Sequence, residues 1–459
     1  MDRAIVDHID ANLDEYVEHL CTFLRRPSVT SQREECSQCA EFLKEMMVQA
    51  GIPTCLIPIQ NGNPLLLGEA KGEGDRTLLV YTHYDVQAPD PIEKWTNPPF
   101  EAKVEDGRIV SRGASDSKGN LIAFISAIDA YQAMRRKLPM NVKFLFEGEE
   151  EAGSPNLPAF VGANKAQLSA DAVVCFDGDT HPSGRPTIEL GLKGMLSVEL
   201  RSKEALTDLH SMWAPIVENA AWRLVQALST LRASNGRIAV EGWYDEYRKP
   251  TSDELETLES VPFDEDQLRR EFRVDHLAWN LKGRDALKAL VFEPTANISG
   301  LDSGYTGPGG KTILPCSAFA RLDFRLMPNQ EPKQLLSHLQ GHLHRQGFDD
   351  VEVIPRGLLE PSKTPTTAPI AKAVAKAAQE TYGAPPVVYP NSPGSGPDYL
   401  FTRCLNLHSV WTGCSPPFSN AHAPNEFTTV DAYRKGVVFA AAIIDEFSRV
   451  EPDQEEKGR

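Results

Sequence analysis

The sequence has no long apolar run and comparatively little positive charge. No stretch approaches the roughly 20 apolar residues that a membrane-spanning helix needs. The 47 Lys and Arg residues are outnumbered by 64 Asp and Glu residues, which gives a net charge of −17. This balance argues against nucleic acid or an anionic membrane surface as a partner. We therefore expect no nucleic-acid partner and no membrane partner.

Signals for secretion are also missing. The first residues lack the basic start and apolar core of a signal peptide. The eight cysteines are scattered over 459 residues and do not form a disulfide framework. The one Cys-x-x-Cys pair, Cys36 and Cys39, lies in a helical pattern and has no second pair to complete a zinc site. We expect reduced thiols and a cytoplasmic location.

Regular elements are indicated over most of the chain. Residues 77–82 form a continuous apolar run, typical of a buried strand in a parallel sheet, and residues 118–136 form a strong helix pattern. Residues 4–25 predict one amphipathic helix. By contrast, the acidic residues 250–267 give no clear fold signal and are interpreted as a loop. The alternation of strands and helices predicts an α/β fold with a mostly parallel sheet.

The pattern changes near residue 187. Residues 188–192 and 195–201 suggest antiparallel strands, and strands and helices typical of a smaller α+β domain follow. A chain of this length exceeds one comfortable hydrophobic core, so two domains are expected. We predict an α/β domain over residues 1–190 and 383–459, interrupted by an inserted α+β domain over residues 191–382.

An acidic run follows a strand-like segment in the α/β part. After residues 143–146 come Glu147, Glu149, Glu150 and Glu151, four carboxylates within five residues. Neighbouring carboxylates repel one another, and a solvated surface is the ordinary explanation of such a run. Here, however, the acids lie at the carboxyl end of a predicted strand, where open α/β sheets build their sites. The position indicates a site for a cation.

Four other candidate ligands lie at predicted strand ends or in loops: His83, Asp116, Asp177 and His422. Glu151, or a neighbouring glutamate of the acidic run, would be the fifth ligand. Imidazole and carboxylate donors suit zinc, manganese or cobalt. Each residue alone has a structural explanation, since a histidine at a strand end is more often a hydrogen-bonding partner. Asp179, two residues after Asp177, is an alternative ligand. A serine nucleophile has no anchor, because the chain contains no Gly-x-Ser-x-Gly motif.

Four motifs, in this order along the chain, resemble those of the co-catalytic zinc exopeptidases: Thr82-His83-Tyr84-Asp85-Val86, Arg112-Gly113-x-x-Asp116-x-Lys118-Gly119, Glu147-Gly148-Glu149-Glu150-Glu151-Ala152-Gly153-Ser154 and Asn420-Ala421-His422. That family includes carnosinase and related dipeptidases, carboxypeptidase G, aminoacylase, acetylornithine deacetylase and succinyl-diaminopimelate desuccinylase. The length and the form of the acidic motif are most similar to the carnosinase-type branch. The resemblance implies a catalytic α/β domain and an inserted lid and dimerisation domain.

The resemblance also implies two divalent metal ions per subunit, zinc in the first place. His83 and Asp177 would bind one ion, Glu151 and His422 the other, and Asp116 would bridge them. The distance back from Gly191-Leu192-Lys193-Gly194, which is similar to a family motif, favours Asp177 over Asp179.

Two further residues of the site follow from the same resemblance. Asp85 would support the second ring nitrogen of His83. Glu150 would be the general base for attack by a metal-bound hydroxide. The peptide bond between Asp116 and Ser117 would be cis.

Three residues outside these motifs resemble substrate-binding positions of the family. His210 would reach across a homodimer to the substrate carbonyl, although Met212 replaces the glycine that usually ends its motif. Arg325 would bind the substrate carboxylate, and Ser395 would lie in a loop that closes on the same group. An exposed histidine, a strand arginine paired with an acid and a plain turn are the structural alternatives.

Taken together, these features predict a metallohydrolase that cleaves a peptide or amide bond near a free carboxylate. A dipeptidase is the first choice, and an N-acyl-amino-acid deacylase is the alternative within the enzyme class. A non-catalytic binding protein of the same fold is the alternative from another class. Every motif position that the chemistry needs is filled, which favours the enzyme.

Overall fold

The computed structural model describes residues 2–450. The α-helices in this range are α1 (Arg3–Ala11), α2 (Leu13–Leu24), α3 (Arg33–Gln49), α4 (Lys118–Ala133), α5 (Leu157–Ala163), α6 (Ala220–Ser229), α7 (Ser252–Glu259), α8 (Glu265–Phe272), α9 (Gly283–Phe292), α10 (Pro332–Arg345), α11 (Pro369–Tyr382) and α12 (Val430–Ser448). Within these residues, no helix has the length and apolar character that crossing a membrane requires.

The β-strands are β1 (Thr54–Ile57), β2 (Leu65–Ala70), β3 (Thr77–His83), β4 (Lys103–Glu105), β5 (Arg108–Val110), β6 (Asn141–Glu147), β7 (Ala172–Phe176), β8 (Thr187–Glu189), β9 (Gly194–Lys203), β10 (Leu209–His210), β11 (Thr295–Ser303), β12 (Ile313–Leu314), β13 (Ser317–Leu326), β14 (Glu352–Leu359), β15 (Val387–Tyr389), β16 (Ser409–Thr412) and β17 (Phe427–Thr429).

Eight of these strands form a large sheet in the order β1-β2-β6-β3-β7-β16-β8-β15. Its central strands β6, β3, β7 and β16 run parallel. Alternate residues of β3 pack into two different cores: Leu78 and Val80 join one, and Leu79 and Tyr81 join the other. Burial on both faces explains why this strand is a continuous apolar run.

Four antiparallel strands form a smaller sheet in the order β11-β13-β9-β14. Residues of β13 alternate between buried and more exposed positions, because only one face of the sheet is covered by α6 and α10. The two sheets and their helices confirm the predicted fold class, a mostly parallel α/β unit with a smaller α+β unit inserted into it. The strand β11 lies at an edge of the smaller sheet.

The predicted helix over residues 4–25 is two helices in the structure, α1 and α2, separated at Asn12. The Asn12 side chain donates a hydrogen bond to the carbonyl oxygen of His8 at 2.8 Å. Asparagine side chains compete in this way with the backbone N–H groups of a helix. The amphipathic pattern continues across the break, so periodicity alone gives no sign of it.

The loop prediction for residues 250–267 is also wrong, because α7 and the start of α8 occupy this segment. Thr251 caps α7: its hydroxyl oxygen accepts from the N–H of Glu254, and the Glu254 side chain accepts from the N–H of Thr251. This reciprocal pair is a capping box. The acidic composition of the segment hid a Thr-x-x-Glu signal that was present in the sequence.

The inserted domain differs from its predicted bounds at the carboxyl-terminal end. The helix α11, predicted to belong to it, packs against α12 in the core of the large sheet, with Ile370 and Val374 buried there. At the other end, the strand β8 lies within the predicted residues 1–190 of the α/β domain and pairs with β15 and β16 of the large sheet. The chain therefore passes from the large sheet to the small one between β8 and β9, and it returns after β14. Residues 451–459 of the predicted α/β domain lie outside the described residues.

Candidate metal centre

The parallel strands of the large sheet bring the predicted ligands to one edge. His83 is the last residue of β3, and it pairs in register with Glu147 at the end of the neighbouring strand β6. Asp177 directly follows β7, the neighbour of β3 on the other side. Because parallel strands end at the same edge, their carboxyl ends place side chains from distant parts of the chain together.

The ligand atoms form two groups that share Asp116. One group is His83, Asp116 and Asp177, and the other is Asp116, Glu151 and His422. Asp116 Oδ1 lies 3.2 Å from His83 Nε2, and Asp116 Oδ2 lies 2.8 Å from His422 Nε2. The two oxygens of one carboxylate therefore face two different imidazoles. The structure thus brings together all five predicted ligands.

The remaining contacts complete each group. Asp177 Oδ2 lies 3.5 Å from His83 Nε2, and Glu151 Oε2 lies 3.1 Å from His422 Nε2. Asp179 belongs to neither group, although it lines the same cavity. Of the two candidate aspartates, Asp177 is therefore the one whose carboxylate reaches a histidine.

The charges of these residues are unbalanced. Burial disfavours the charged form of His83, but the charge of Asp177 and hydrogen bonds with Asp116 outweigh it and raise the pKa of His83 well above its ordinary value. Hydrogen bonds with Asp116 and Glu151 raise the pKa of His422 to about 10. Three carboxylates around two imidazoles leave an excess of negative charge, which cations would compensate.

Divalent ions fit this donor set. Donors at about 2.1 Å from a tetrahedral zinc ion lie roughly 3.4 Å from one another. The four histidine–carboxylate donor pairs within the two groups are 2.8 to 3.5 Å apart. Two divalent ions would bring four positive charges, and the three carboxylates carry three negative charges. The site can therefore be nearly neutral when both ions are bound.

Asp85 organises the acidic turn that carries Glu150 and Glu151. Its Oδ1 accepts from the N–H of Glu150 at 3.2 Å, and its Oδ2 accepts from the N–H of Glu151 at 3.2 Å and from the hydroxyl of Thr30 at 2.7 Å. The second ring nitrogen of His83 lies 3.0 Å from the backbone oxygen of Asp85 and 3.4 Å from its carboxylate. The backbone oxygen of Asp85, not its carboxylate, is therefore the closer partner of His83 Nδ1.

Glu150 lines the cavity that the ligands face, a space of about 310 Å³. Burial raises the pKa of Glu150 well above its ordinary value, and the charges of Asp177 and Glu147 add to this effect, whereas His83 opposes it. A nearby cation would favour the ionised carboxylate and lower the pKa again. Glu151, the neighbouring residue, receives a hydrogen bond from the Gln87 side chain at 2.9 Å.

The other two acids of the run have structural contacts. Glu147 is buried and accepts hydrogen bonds from the hydroxyls of Tyr81 and Ser154. Burial raises the pKa of Glu147 to about 7. Glu149 accepts from the Asn156 side chain at 2.8 Å. The run therefore divides into two residues that face the cavity and two that hold the turn.

Glu426 is a residue of the site that the sequence reasoning missed. Its carboxylate is fully buried and lies next to the loop that carries Asp116, where it accepts from the guanidinium of Arg112 at 2.6 Å. The peptide bond between Asp116 and Ser117 is cis in this loop, as the resemblance implies. Glu426 follows His422 by only four positions, which is the one signal that could have drawn attention to it.

The three predicted substrate-binding residues lie in different surroundings. Ser395 lines the cavity, and its hydroxyl donates to the carbonyl oxygen of Gly194 at 3.2 Å. Arg325 is on β13 next to the start of β9. The burial of Lys193 and the positive charge of Arg325 lower the pKa of Lys193 to about 8. His210 is exposed on β10, where its Nδ1 accepts from the N–H of Met212. His210 is thus absent from both ligand groups.

A mostly parallel sheet whose strand ends present two ligand groups joined by one carboxylate is typical of α/β proteins that bind two metal ions. Comparisons with known proteins agree. The model of Peptidase family M20/M25/M40 matches residues 79–446. The chain belongs to this family, which confirms the resemblance that the motifs indicate.

Individual relatives are similar over different lengths. Beta-Ala-His dipeptidase of Homo sapiens is 30% identical over 301 residues, which cover 63% of this chain but only 59% of that protein. Cys-Gly metallodipeptidase dug1 of Schizosaccharomyces pombe is 26% identical over 470 residues, covering 97% of this chain and 98% of that protein. The M20 family metallo-carboxypeptidase Sso-CP2 from Sulfolobus solfataricus, known from a crystal structure, is 38% identical in sequence. The two structures superpose with a TM-score of 0.90 over 95% of this chain and 99% of that protein's chain.

Proposed function

We propose that this chain is a metal-dependent hydrolase that cleaves the peptide bond of small substrates with a free carboxylate, dipeptides in the first place. The observation that carries the proposal is the position of Asp116, whose two carboxylate oxygens face the imidazoles of His83 and His422. Membership of a peptidase family and similarity to two dipeptidases support it.

Two divalent ions would be held by the five ligands. His83 and Asp177 would bind one ion, Glu151 and His422 the other, and Asp116 both. Such ions, when bound, polarise a carbonyl group and make water a better nucleophile at neutral pH. Zinc is the first choice for this set of imidazole and carboxylate donors, and manganese or cobalt would suit it as well.

Glu150 would act as the general base. Its side chain lines the cavity beside the ligands, and hydrogen bonds from its own N–H and that of Glu151 to Asp85 hold its turn in place. Glu150 would take a proton from the attacking water and pass it to the nitrogen of the breaking peptide bond, so that a neutral amine leaves. Asp85 would position this base and would not itself exchange a proton.

Arg325 and Ser395 would bind the free carboxylate of the substrate. The loop of Ser395 is joined to the start of β9 by two hydrogen bonds, from Lys193 N to Gly394 O at 2.8 Å and from Ser395 Oγ to Gly194 O. The charge of Arg325 acts on Lys193 in the same region. A positive region next to the cavity suits an anionic group, and a planar guanidinium suits a carboxylate.

His210 would complete the site from a second copy of the chain. It is exposed and lies outside both ligand groups within one chain, so a role in catalysis requires another subunit. The inserted domain offers a surface for such a contact: β11 is an edge strand with exposed Ile298 and Leu301, and Trp222 is exposed on α6. An edge strand with apolar side chains is a template for pairing with another chain. We therefore propose a homodimer formed through this domain.

The cytoplasm is the proposed location. All eight cysteines are free thiols, and five of them are buried. Free thiols of this kind are typical of a reducing compartment.

The test is a substrate panel with metal-free protein to which zinc or manganese is returned. One arm contains dipeptides, a second contains N-acyl-amino acids with the same carboxyl-terminal residue, and a third contains longer peptides that end in it. We expect release of free amino acids from dipeptides at the highest kcat/KM. Preference for the second arm would identify a deacylase, and preference for the third a carboxypeptidase.

A matched control separates hydrolysis from contamination. Asp116→Asn should abolish activity on every arm, because an amide replaces the carboxylate shared by both ligand groups. Protein that binds well under one ion per chain, with no hydrolysis on any arm, would support the non-catalytic alternative and overturn the proposal.

A further inference from the structure

Glu426 receives five hydrogen bonds from a single loop. The donors are Arg112 Nη1 at 2.6 Å, Gly113 N at 3.0 Å, Ser115 N at 2.9 Å, Ser115 Oγ at 3.0 Å and Asp116 N at 3.0 Å. The carboxylate is fully buried, and the guanidinium of Arg112 is 1% exposed. Burying a carboxylate is costly unless it is paired and hydrogen-bonded, and here every donor comes from residues 112–116.

The same residue also anchors the segment that carries His422. The backbone oxygen of Glu426 accepts from the N–H of Ser111, and Phe427–Thr429 then pairs with β5 just before the Asp116 loop. His422, four residues earlier, is half-exposed, and among residues 2–450 the ion-pair partners of its imidazole are the carboxylates of Asp116 and Glu151. The position of the imidazole therefore depends on how its backbone is held.

We infer that Glu426 is a positioning residue that sets the distance between Asp116 and His422, and thereby the affinity of the metal group formed by Asp116, Glu151 and His422. The hydrogen bond from Asp116 N to the Glu426 carboxylate fixes the backbone of Asp116 and thereby the position of its side chain. The main chain of Glu426 fixes the end of the His422 loop. One residue thus connects two ligands that are separated by more than 300 positions in the sequence. This inference rests on the proposed function, in which these residues bind an ion.

Removing the carboxylate should act on the ion more than on the fold. In Glu426→Gln the amide group presents N–H donors toward the N–H groups of the loop, so at least one buried donor loses its acceptor. Loss of a residue that supports metal ligands typically lowers metal affinity by about 10- to 100-fold. The other group shares Asp116, but its remaining members His83 and Asp177 are not held by Glu426, so this group should be affected less.

Glu446→Gln is the matched control. Glu446 is also a buried carboxylate, and it pairs with Lys376 and Arg449 on the helical side of the α/β unit instead of with a ligand loop. Both substitutions replace a buried, paired glutamate by its amide, so both are expected to lower the melting temperature. Only Glu426→Gln should change the binding of metal.

The experiment is a calorimetric titration of metal-free protein with zinc, with melting temperature recorded for every variant. Wild type should bind two ions per chain. Glu426→Gln should retain one tight site and bind the second ion about 10- to 100-fold more weakly, and excess zinc should restore its kcat. Two ions bound as tightly as in wild type, or an equal loss in Glu446→Gln, would overturn the inference.

A milder variant keeps the test decisive if Glu426→Gln does not fold. Ser115→Ala removes one donor to Glu426, the hydroxyl at 3.0 Å, and leaves the ion pair with Arg112 in place. It should weaken the second zinc ion severalfold, and unchanged affinity would contradict the role of Glu426. A wild-type protein that binds no second ion would instead contradict the proposed function.

Discussion

Asp85 Oδ1 accepts a hydrogen bond from the backbone N–H of Glu150 at 3.2 Å. Through its other oxygen, Asp85 also holds the N–H of Glu151. Since His83 lies two residues before Asp85, one short segment contains a candidate ligand on β3 and also holds the turn that follows β6. The hydrogen bonds from their own N–H groups to Asp85 hold the two neighbouring glutamates at one cavity.

Replacing this carboxylate should loosen the turn. In Asp85→Asn one acceptor oxygen becomes an NH₂ group, so at least one of the two N–H groups loses its partner. We expect zinc affinity to fall by about 10- to 100-fold and kcat to fall with it, measured by titration and by dipeptide hydrolysis.

The control for this variant is Asp171→Asn. Asp171 accepts from the N–H of Thr77 at the opposite end of β3, so it makes a similar contact away from the ligands. It should leave both zinc affinity and kcat unchanged. A variant of Asp85 that binds zinc as tightly as wild type would show that the turn does not depend on this residue.

Glu150→Gln should retain both ions and lose most of the activity. The amide cannot accept a proton, and general base catalysis contributes about 10²- to 10⁴-fold to a rate. Glu149→Gln is the matched control, because Glu149 is the preceding residue and contacts Asn156 instead of the cavity. Metal content and kcat of the two variants should be compared. A Glu150→Gln protein with wild-type kcat would exclude Glu150 as the base.

Three of the candidate metal ligands, His83, Glu151 and Asp177, could be predicted because they follow apolar strands, whereas Asp116 and His422 lie in short motifs in loops. His83, Asp116 and Glu151 follow patterns that are local in the sequence, and parallel strands must end at a common edge. Glu426 could not be found in this way. Its partner Arg112 is 314 positions away, and nothing in the residues near Glu426 indicates that a carboxylate would be buried there.

The inserted domain was harder to predict for a related reason. Its helices α7 and α8 are short and acidic, so their apolar residues are too few for a clear periodicity. The apolar periodicity of α11 does not show which domain the helix packs against. Its assignment to the large sheet depends on the core that it shares with Val437 and other residues of α12. Domain boundaries depend on such contacts, which local patterns do not contain.

The pairing of Glu254 leads to a prediction about pH. Burial alone would raise the pKa of Glu254, but hydrogen bonds with Arg248 and the charge of Lys363 outweigh it and lower the pKa to about 2. A depressed pKa means that the ionised carboxylate stabilises the fold above its ordinary pKa of 4.5 and that this stabilisation is lost as the pH falls toward 2. A difference of this size corresponds to at most about 3 kcal/mol.

Glu254→Gln should therefore lower the free energy of unfolding at pH 7 by about 1 to 3 kcal/mol. The difference from wild type should shrink as the pH falls from 4.5 to about 2, because wild type then becomes protonated as well. Denaturant titrations at several pH values measure this. Glu256→Gln, at an exposed position of the same helix, should have little effect at any pH. A pH-independent difference for Glu254→Gln would show that loss of the helix cap, not of the charge, is responsible.

The proposed dimer surface can be tested by placing a charge on the edge strand. Ile298 is 49% exposed on β11, and Ile298→Asp would bury an unpaired carboxylate in an interface between two copies. We expect a monomer by analytical ultracentrifugation, with two zinc ions still bound and kcat strongly reduced. Val48→Asp, at a comparably exposed position on α3, is the control. A fully active Ile298→Asp monomer would exclude a contribution from the partner.

The role of His210 follows from the same dimer and can be tested by mixing. His210→Ala and Glu150→Gln should each be almost inactive alone, since each lacks one group of the site. If His210 acts on the partner's substrate, a mixed dimer has one complete site, with Glu150 from one chain and His210 from the other. Random reassociation makes half of the dimers mixed, so activity should recover to roughly a quarter of wild type. Mixed dimers that form but remain inactive would show that His210 does not act across the interface.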